Sequence, residues 1–312
     1  MKYLVTGGAG FIGSHICKAL VDKGGEVVIL DNLNTGKREN LAELKDNFSF
    51  IYGDIRDLET VRQSMKDVDI VYHEAAIASV PDSVEDPLYT HDVNLTGMLN
   101  VLIAAKEVGI KRLVYASSAA TYGDDPVIPK VETMNPKFLS PYAFHKYAGE
   151  IYAQQFGQHY GMETVGLRYF NVFGPRQDPS SMYSGVISIF MECFMNDREP
   201  TVFGDGEQTR DFIFVKDVVQ ANILAGHSKG QVNNVFNVGL GKQTSINQLL
   251  DYLRKLTGKT LNAIYTEPRP GDIRYSLSDN SKIINAYGFK PEYTVSEGLR
   301  LTYEWFLNQP SP

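Results

Sequence analysis

The chain has 312 residues, 43% of them hydrophobic, enough to bury a large core as one big domain or two interlocked ones. Its net charge of −7 is spread without an acidic tail or a Lys/Arg run, which excludes an evident nucleic-acid or membrane surface and leaves any anionic ligand to a few placed cations. No apolar stretch approaches the roughly 20 residues that span a bilayer, and no charged segment with an apolar run precedes the first strand, so a cytoplasmic location is expected. Taken in chain order, short β-branched runs alternate with longer amphipathic stretches. Tyr3–Val5, Val27–Leu30, Phe48–Tyr52, Ile70–Tyr72, Arg112–Tyr115 and Thr164–Leu167 read as strands with helical patterns between them. That order predicts an α/β fold, a Rossmann-type doubly wound parallel sheet with helices on both faces. After about Asn171, Pro and Gly become frequent, and Val202–Phe203, Asp211–Val215 and Val235–Val238 read as strands of a second layer. A first domain over residues 1–172 and a smaller α/β lobe over 173–312, with some segments returning to the first, are expected. Cys17 and Cys193 lack metal-ligand spacing and read as buried reduced thiols, and no metal is expected.

The first strand runs into Gly7-Gly8-Ala9-Gly10-Phe11-Ile12-Gly13, which opens a helix with Ile12, Ile16 and Leu20 on its apolar face. Glycines at this spacing permit a tight turn, close approach of a pyrophosphate to the backbone and close helix-to-sheet packing, while the helix N-terminus offers N–H groups to phosphate. Gly7, Gly10, Phe11, Ile12 and Gly13 are therefore candidate dinucleotide contacts. Asp31 ends the second strand, where a carboxylate accepts from a ribose diol and repels a 2′-phosphate; this favours NAD over NADP, although Lys37 and Arg38 follow. Asn32 stands beside it. Asp54 and Ile55, just beyond the third strand, sit where an adenine lies against the sheet edge, or Asp54 caps the next helix.

Pro141-Tyr142-Ala143-Phe144-His145-Lys146 begins a helix, and the four-residue spacing puts Tyr142 and Lys146 on one face. A free phenol titrates near pH ~10, but a nearby ammonium and an oxidised nicotinamide both favour the phenolate, a base usable near neutrality. Ser118 follows the strand Arg112–Tyr115 at the carboxyl edge of the sheet, where its hydroxyl can bridge substrate oxygen and phenolate.

Together these residues resemble the extended short-chain dehydrogenase/reductase family, from Thr6-Gly7-Gly8-Ala9-Gly10-Phe11-Ile12-Gly13 through Tyr142 and Lys146 into the C-terminal lobe. The resemblance implies that Tyr142 is the base, that Lys146 holds the nicotinamide ribose and tunes Tyr142, and that Ser118 orients the hydroxyl. It also places Ala75, Ala76 and Asn94 at the cofactor and His73 near the nicotinamide. Relatives that dehydrate carry Asp and Glu at the positions of Ala119 and Ala120, and those that decarboxylate carry Glu at Ala120. Two methyl groups cannot move the C5 proton or assist loss of carboxylate, so epimerisation remains.

The stretch Arg168-Tyr169-Phe170-Asn171-Val172-Phe173-Gly174-Pro175-Arg176-Gln177 resembles the nucleotide-sugar epimerase signature, which implies Asn171 at the diphosphate. By the same resemblance Arg210 and Arg269 bind diphosphate and Asp272 accepts from the uridine ribose, while Val202 and Phe203 offer a platform for uracil. Relatives restricted to plain hexoses carry Tyr at Ser276 and Asn at Gly185, so this pocket, bordered also by Val186, is expected to admit an acetamido group, with Ser79 as its hydrogen-bond partner. The implied activity is C4 inversion of UDP-GlcNAc/UDP-GalNAc, and of UDP-Glc/UDP-Gal, through a 4-keto sugar with bound NAD. A glucuronate epimerase would need a cation or hydroxyl for the C5 carboxylate, for which Arg274 or Ser79 serve. A non-catalytic NAD-sensing module has no use for Tyr142, Lys146 and Ser118. Helices around Asn94–Lys106 and Tyr142–Tyr160 carry apolar residues on more than one face, and the resemblance implies a homodimer.

Overall fold

A computed structural model describes residues 1–44, 47–178, 185–268 and 273–308. The first part of the chain runs β1 (Lys2–Thr6), α1 (Phe11–Asp22), β2 (Glu26–Asp31), β3 (Phe48–Tyr52), α2 (Leu58–Ser64), β4 (Ile70–His73), α3 (Val80–Glu85), α4 (Pro87–His91), a π-helical turn over Asp92–Thr96, α5 (Gly97–Val108), β5 (Arg112–Ser118), α6 (Pro141–Tyr160) and β6 (Glu163–Tyr169). There follow β7 (Asn171–Phe173), α7 (Val186–Met195), β8 (Thr201–Phe203), β9 (Thr209–Arg210), β10 (Phe212–Phe214), α8 (Val215–His227), β11 (Asn234–Val238), β12 (Thr244–Ser245), α9 (Ile246–Thr257), β13 (Ile264–Thr266), α10 (Ser281–Tyr287) and α11 (Val295–Leu307).

Among the described residues one seven-stranded parallel sheet has the order β11-β6-β5-β4-β1-β2-β3. Its strands are apolar on both faces because helices cover both. Val5, Ile29, Tyr72, Val114, Leu167 and Phe236 pack on one side with Ile16 and Leu20 of α1 and Val218 of α8. Leu4, Leu30, Val71 and Leu113 pack on the other with Val61 of α2, Val101 and Leu102 of α5 and Ala153 of α6. Each fully buried aliphatic side chain contributes about 1.5–3 kcal/mol by leaving water. The order reverses between β1 and β4, which opens a crevice at the carboxyl ends of the strands.

The expectation for Val235–Val238 is corrected here. As β11 it joins the main sheet beside β6, in parallel register Val235 to Gly166 and Phe236 to Leu167, rather than forming a second layer. Its side chains Val235, Phe236 and Val238 are buried, and only a place inside the large core removes all of them from water. The lobe is otherwise built of small ladders: β7 with β10, β9 with β12, and β8 with β13. They are packed around Phe173, Phe190, Phe194, Phe214, Leu249 and Leu253. Cys17 and Cys193 are both buried and free. No helix among the described residues is long and apolar enough to cross a membrane.

Candidate functional site

The crevice is a cleft of about 460 Å³ into which the carboxyl ends of β1 to β6 deliver Gly7, Asp31, Gly53, Ala75, Ser118 and Tyr169. Its floor is the glycine turn. Gly7 adopts φ +69°, and a Cβ there would come within 2.7 Å of the Ala75 nitrogen; a Cβ at Gly13 would overlap the Gly7 carbonyl. Helix α1 starts at Gly10 with no side-chain cap and no acidic residue in its first turn, so the N–H groups of Phe11, Ile12 and Gly13 remain available to an anion in the cleft. This cradle fits a dinucleotide pyrophosphate.

Asp31 accepts from the Ala9 N–H at 2.9 Å and the Leu33 N–H at 2.8 Å, which aims its carboxylate along the cleft and leaves lone pairs for a diol. Burial raises its pKa, and those two N–H groups pull it back. The two cations that follow are drawn away from it. Lys37 pairs with Asp178 at 2.5 Å, and the Arg38 guanidinium lies 4.4 Å from the Phe50 ring centre. Asp54 is held by Asn32 Nδ2 at 2.8 Å and by Arg56, whose hydrogen bonds bring its pKa down to about 2. The capping reading of Asp54 is overturned, since Asp57 caps α2 by accepting from the Glu59 N–H. Asp54 and Ile55 line the cleft beside Ala75 and Ala76.

Helix α6 carries the reactive side chains into this cleft. Ser140 caps it, Pro141 fills its first turn, and Ser83 accepts from the Tyr142 N–H at 3.1 Å. Tyr142 and Ser118 line the cleft together, and the Ser118 hydroxyl accepts from the Ala120 N–H at 3.1 Å. The Lys146 ammonium sits 5.9 Å from the Tyr142 ring centre and donates to the Ala116 carbonyl at 3.0 Å. Burial lowers the Lys146 pKa to about 8, opposed by the Glu74 carboxyl. Burial raises the Tyr142 pKa, the Ser118 hydroxyl pulls it back, and Glu74 adds to the rise. Desolvation is the largest of these effects on the phenol.

Glu74 is the residue that the motifs missed. It lines the cleft, accepts from the Tyr169 hydroxyl at 2.9 Å, and is pushed by burial up to about 7, with Tyr169 and Lys146 opposing. Tyr169 is itself held by Asn222 Nδ2 at 2.8 Å. The available signal is a carboxylate at the end of a strand whose other residues, Ile70 to His73, are all buried.

Several expected contacts are redirected. Asn94 accepts from the Ile77 N–H at 2.8 Å and donates to the Ile77 carbonyl at 2.9 Å, and it is not among the residues lining the cleft. Ser79 caps α3 by accepting from the Asp82 N–H and does not line the cleft. His73 is buried against Thr6 at 2.7 Å, and desolvation lowers its pKa to about 3. Val202 is fully buried in the lobe core, so it presents no platform, while Phe203 beside it is half-buried. Asn171, Gly185 and Val186 line the cleft. Arg210 donates to the Thr209 and Ile273 carbonyls, and Ser276 bonds through its N–H to the Thr209 carbonyl at 3.2 Å, so the two lie together. Arg269 and Asp272 fall outside the described residues.

A family described as NAD dependent epimerase/dehydratase matches residues 3–239. A putative UDP-glucose 4-epimerase of Methanocaldococcus jannaschii is 42% identical over 307 residues, 98% of each chain. Among solved structures, the UDP-N-acetylglucosamine 4-epimerase of Methanobrevibacter ruminantium, in complex with UDP-N-acetylmuramic acid, superposes with a TM-score of 0.95 at 43% identity over 99% of each chain. The UDP-glucose 4-epimerase of Thermus thermophilus, in complex with NAD, gives 0.90 at 40% identity over 99% of each chain.

Proposed function

The chain belongs to the NAD dependent epimerase/dehydratase family, and from that premise we propose that it is a UDP-sugar 4-epimerase that inverts C4 of UDP-GlcNAc/UDP-GalNAc and also of UDP-Glc/UDP-Gal. The observation that carries this reading is the grouping of Ser118, Tyr142 and Lys146 in one cleft floored by the glycine turn. NAD, when bound, accepts a hydride from C4 and returns it. Tyr142, its phenol held up by burial that the charge of a bound nicotinamide would offset, would take the O4 proton and later give it back. Ser118 holds O4 in line with the phenol, and Lys146 holds the nicotinamide ribose. Asn171 and Arg210 anchor the diphosphate while the ketone turns its other face. Ala119 and Ala120 offer no acid or base toward C5, which leaves inversion as the outcome.

The acetylated substrates are favoured by space. Among the described residues a Cβ at Gly185 would meet only Gln177 Nε2, at 3.3 Å, and Ser276 is small. The relative from Methanobrevibacter is also named for an acetylated sugar. The competing uronate reading would have to draw on groups already engaged: Arg274 is paired twice with Asp205, at 2.7 and 2.8 Å, and Ser79 caps a helix. Incubating the purified protein with each UDP-sugar, without added oxidant, and reading the C4 configuration by proton NMR tests the proposal. Inversion of UDP-GlcNAc and UDP-Glc is expected; inversion of UDP-glucuronate alone would replace the substrate assignment, and no inversion at all would remove the reading. A homodimer is part of the same proposal. One face of α6 exposes Phe144, Ile151 and Tyr152, and light scattering at working concentration should give twice the chain mass.

A further inference from the structure

Behind the cleft lies a buried polar group that the proposed chemistry does not use. Glu150 and Arg168 are 1% and 3% exposed. Arg168 donates to both Glu150 oxygens, Nε to Oε1 at 2.8 Å and the terminal nitrogen to Oε2 at 2.7 Å. The Ser117 hydroxyl donates to the same Oε1 at 2.5 Å. On its far side the Arg168 guanidinium lies 4.9 Å from the Tyr122 ring centre, and the Tyr122 hydroxyl donates to Asn237 of β11 at 2.6 Å. A carboxylate this deep is retained only where its desolvation is offset by bonds from every side.

Glu150 stands four residues after Lys146 and eight after Tyr142 on α6, so all three project from one helical face toward the sheet. Three successive residues of β5 face them: Lys146 bonds to Ala116 and Glu150 to Ser117, and Ser118 shares the cleft with the Tyr142 phenol. Arg168 is the neighbour of Ser117 across the β5–β6 ladder, so the same carboxylate ties the helix to two strands at once. The outer two strand positions, Ala116 and Ser118, stand at the reactive residues. Glu150 supplies the bond at the intervening strand residue, and it makes no contact with the cleft itself.

We propose that Glu150 is a positioning residue, which with Arg168 and Ser117 locks α6 in depth and rotation against β5 so that the Tyr142 hydroxyl meets Ser118. This deepens the epimerase reading and rests on it for its kinetic consequence only. A misplacement of about 1 Å at a reacting pair costs up to about 100-fold in rate, so an anchor behind the site governs kcat rather than substrate affinity. Removing one partner of a buried ion pair also threatens the fold, whereas replacing both by apolar side chains of similar size is often neutral.

The test therefore uses Glu150→Leu/Arg168→Met together, with Ser117→Ala as the mildest cut. Each variant is compared with wild type for melting temperature, for kcat and KM toward the UDP-sugar, and for titration of the Tyr142 phenol by NMR with ζ-13C-tyrosine, assigned with Tyr142→Phe. The double variant should fold and melt close to wild type while kcat falls at least about 10-fold and KM stays within about twofold, and its phenol should titrate at higher pH because the Ser118 hydroxyl stands less close to it. Ser117→Ala should move in the same direction by less. A folded double variant with wild-type kcat and wild-type phenol titration overturns the proposal; if that variant does not fold, an unchanged kcat and titration in Ser117→Ala overturns it. The phenol titration needs no substrate, so a wild-type protein that inverts no UDP-sugar would sink the functional reading and leave the clamp still decided.

Discussion

The edge of the large sheet and the C-terminal lobe build their halves of the cleft by different means. At the sheet edge, strands of four to seven residues buried on both faces carry the site, and Ser118 and Tyr169 project from a scaffold that cannot shift without opening the core. In the lobe, the ladders are two or three residues long, and Arg210 is held by backbone carbonyls rather than by a packed sheet. The rigid half sets the chemistry, and the lightly built half sets what is bound. Substitutions at the sheet edge should act on kcat and cofactor retention, and those in the lobe on KM and substrate choice.

The largest effect is expected where the rigid half touches the reacting atoms. Tyr142→Phe removes the proton acceptor but keeps the ring, and kcat should fall by about 10³–10⁴-fold while the dinucleotide stays bound and the melting temperature changes little. Ultraviolet quantitation of NAD released on denaturation checks the second half. Retained turnover would remove Tyr142 from its role and leave the comparison without its strongest term.

A pair of glycines gives the next test. Alanine at Gly13 drives its methyl into the Gly7 carbonyl, a backbone atom that cannot move aside. Destabilisation of about 1–3 kcal/mol and loss of bound NAD are expected, read by thermal melting and by the NAD stoichiometry. Among the described residues alanine at Gly185 meets only the flexible end of Gln177, so stability should hold within about 0.5 kcal/mol. Equal damage at both positions would show that the lobe is as rigid as the sheet edge.

The same difference governs how much of the molecule is legible in its sequence. Five of the six strands from Tyr3 to Leu167 announce themselves because burial on both faces demands continuous apolar runs, the edge strand β3, only partly buried, by its aromatic residues, and the glycine turn because backbone geometry allows nothing larger. Val235–Val238 carries the same apolar signal, but a strand's composition does not say which neighbour it pairs with, and that pairing places it beside β6. Asn94 and Ser79 look like ligand contacts because their chemistry suits one; only the fold reveals that they also bond the Ile77 backbone and the α3 N-terminus. Val202 is lost as a platform because its side chain faces the lobe core. Glu74 escapes motif reading for the opposite reason, since its character comes from burial and Tyr169, neither of which is local in sequence.

Glu74 also predicts a smaller, pH-dependent effect. Its folded pKa of about 7 lies above the ordinary carboxyl value of 4.5, so the folded chain holds a proton that the unfolded chain releases. The stability it contributes is fully present below about pH 4.5 and is lost as pH rises toward 7. Glu74→Gln keeps the shape without the ionisation. It should melt above wild type at pH 8, and the advantage should shrink as pH is lowered through 7 and vanish by about 4.5; a pH-independent difference would show that Glu74 is already ionised or already neutral throughout the range.

The smallest effect should come from the lobe's surface. Arg274 and Asp205 form a two-bonded pair, with both side chains about half exposed at 49% and 57%, and the Arg274 bonds hold the Asp205 pKa down to about 2. Geometry of this kind attracts functional interpretation, and a C5 carboxylate would compete with Asp205 for the same guanidinium. Exposed ion pairs contribute little, however, because water and salt screen them. Arg274→Ala should therefore leave the melting temperature and the KM for neutral UDP-hexoses within about twofold of wild type in any equilibrium constant. A large rise in KM confined to UDP-glucuronate would instead show that Arg274 exchanges Asp205 for substrate, which would move a surface residue of the lightly built half into the determination of specificity.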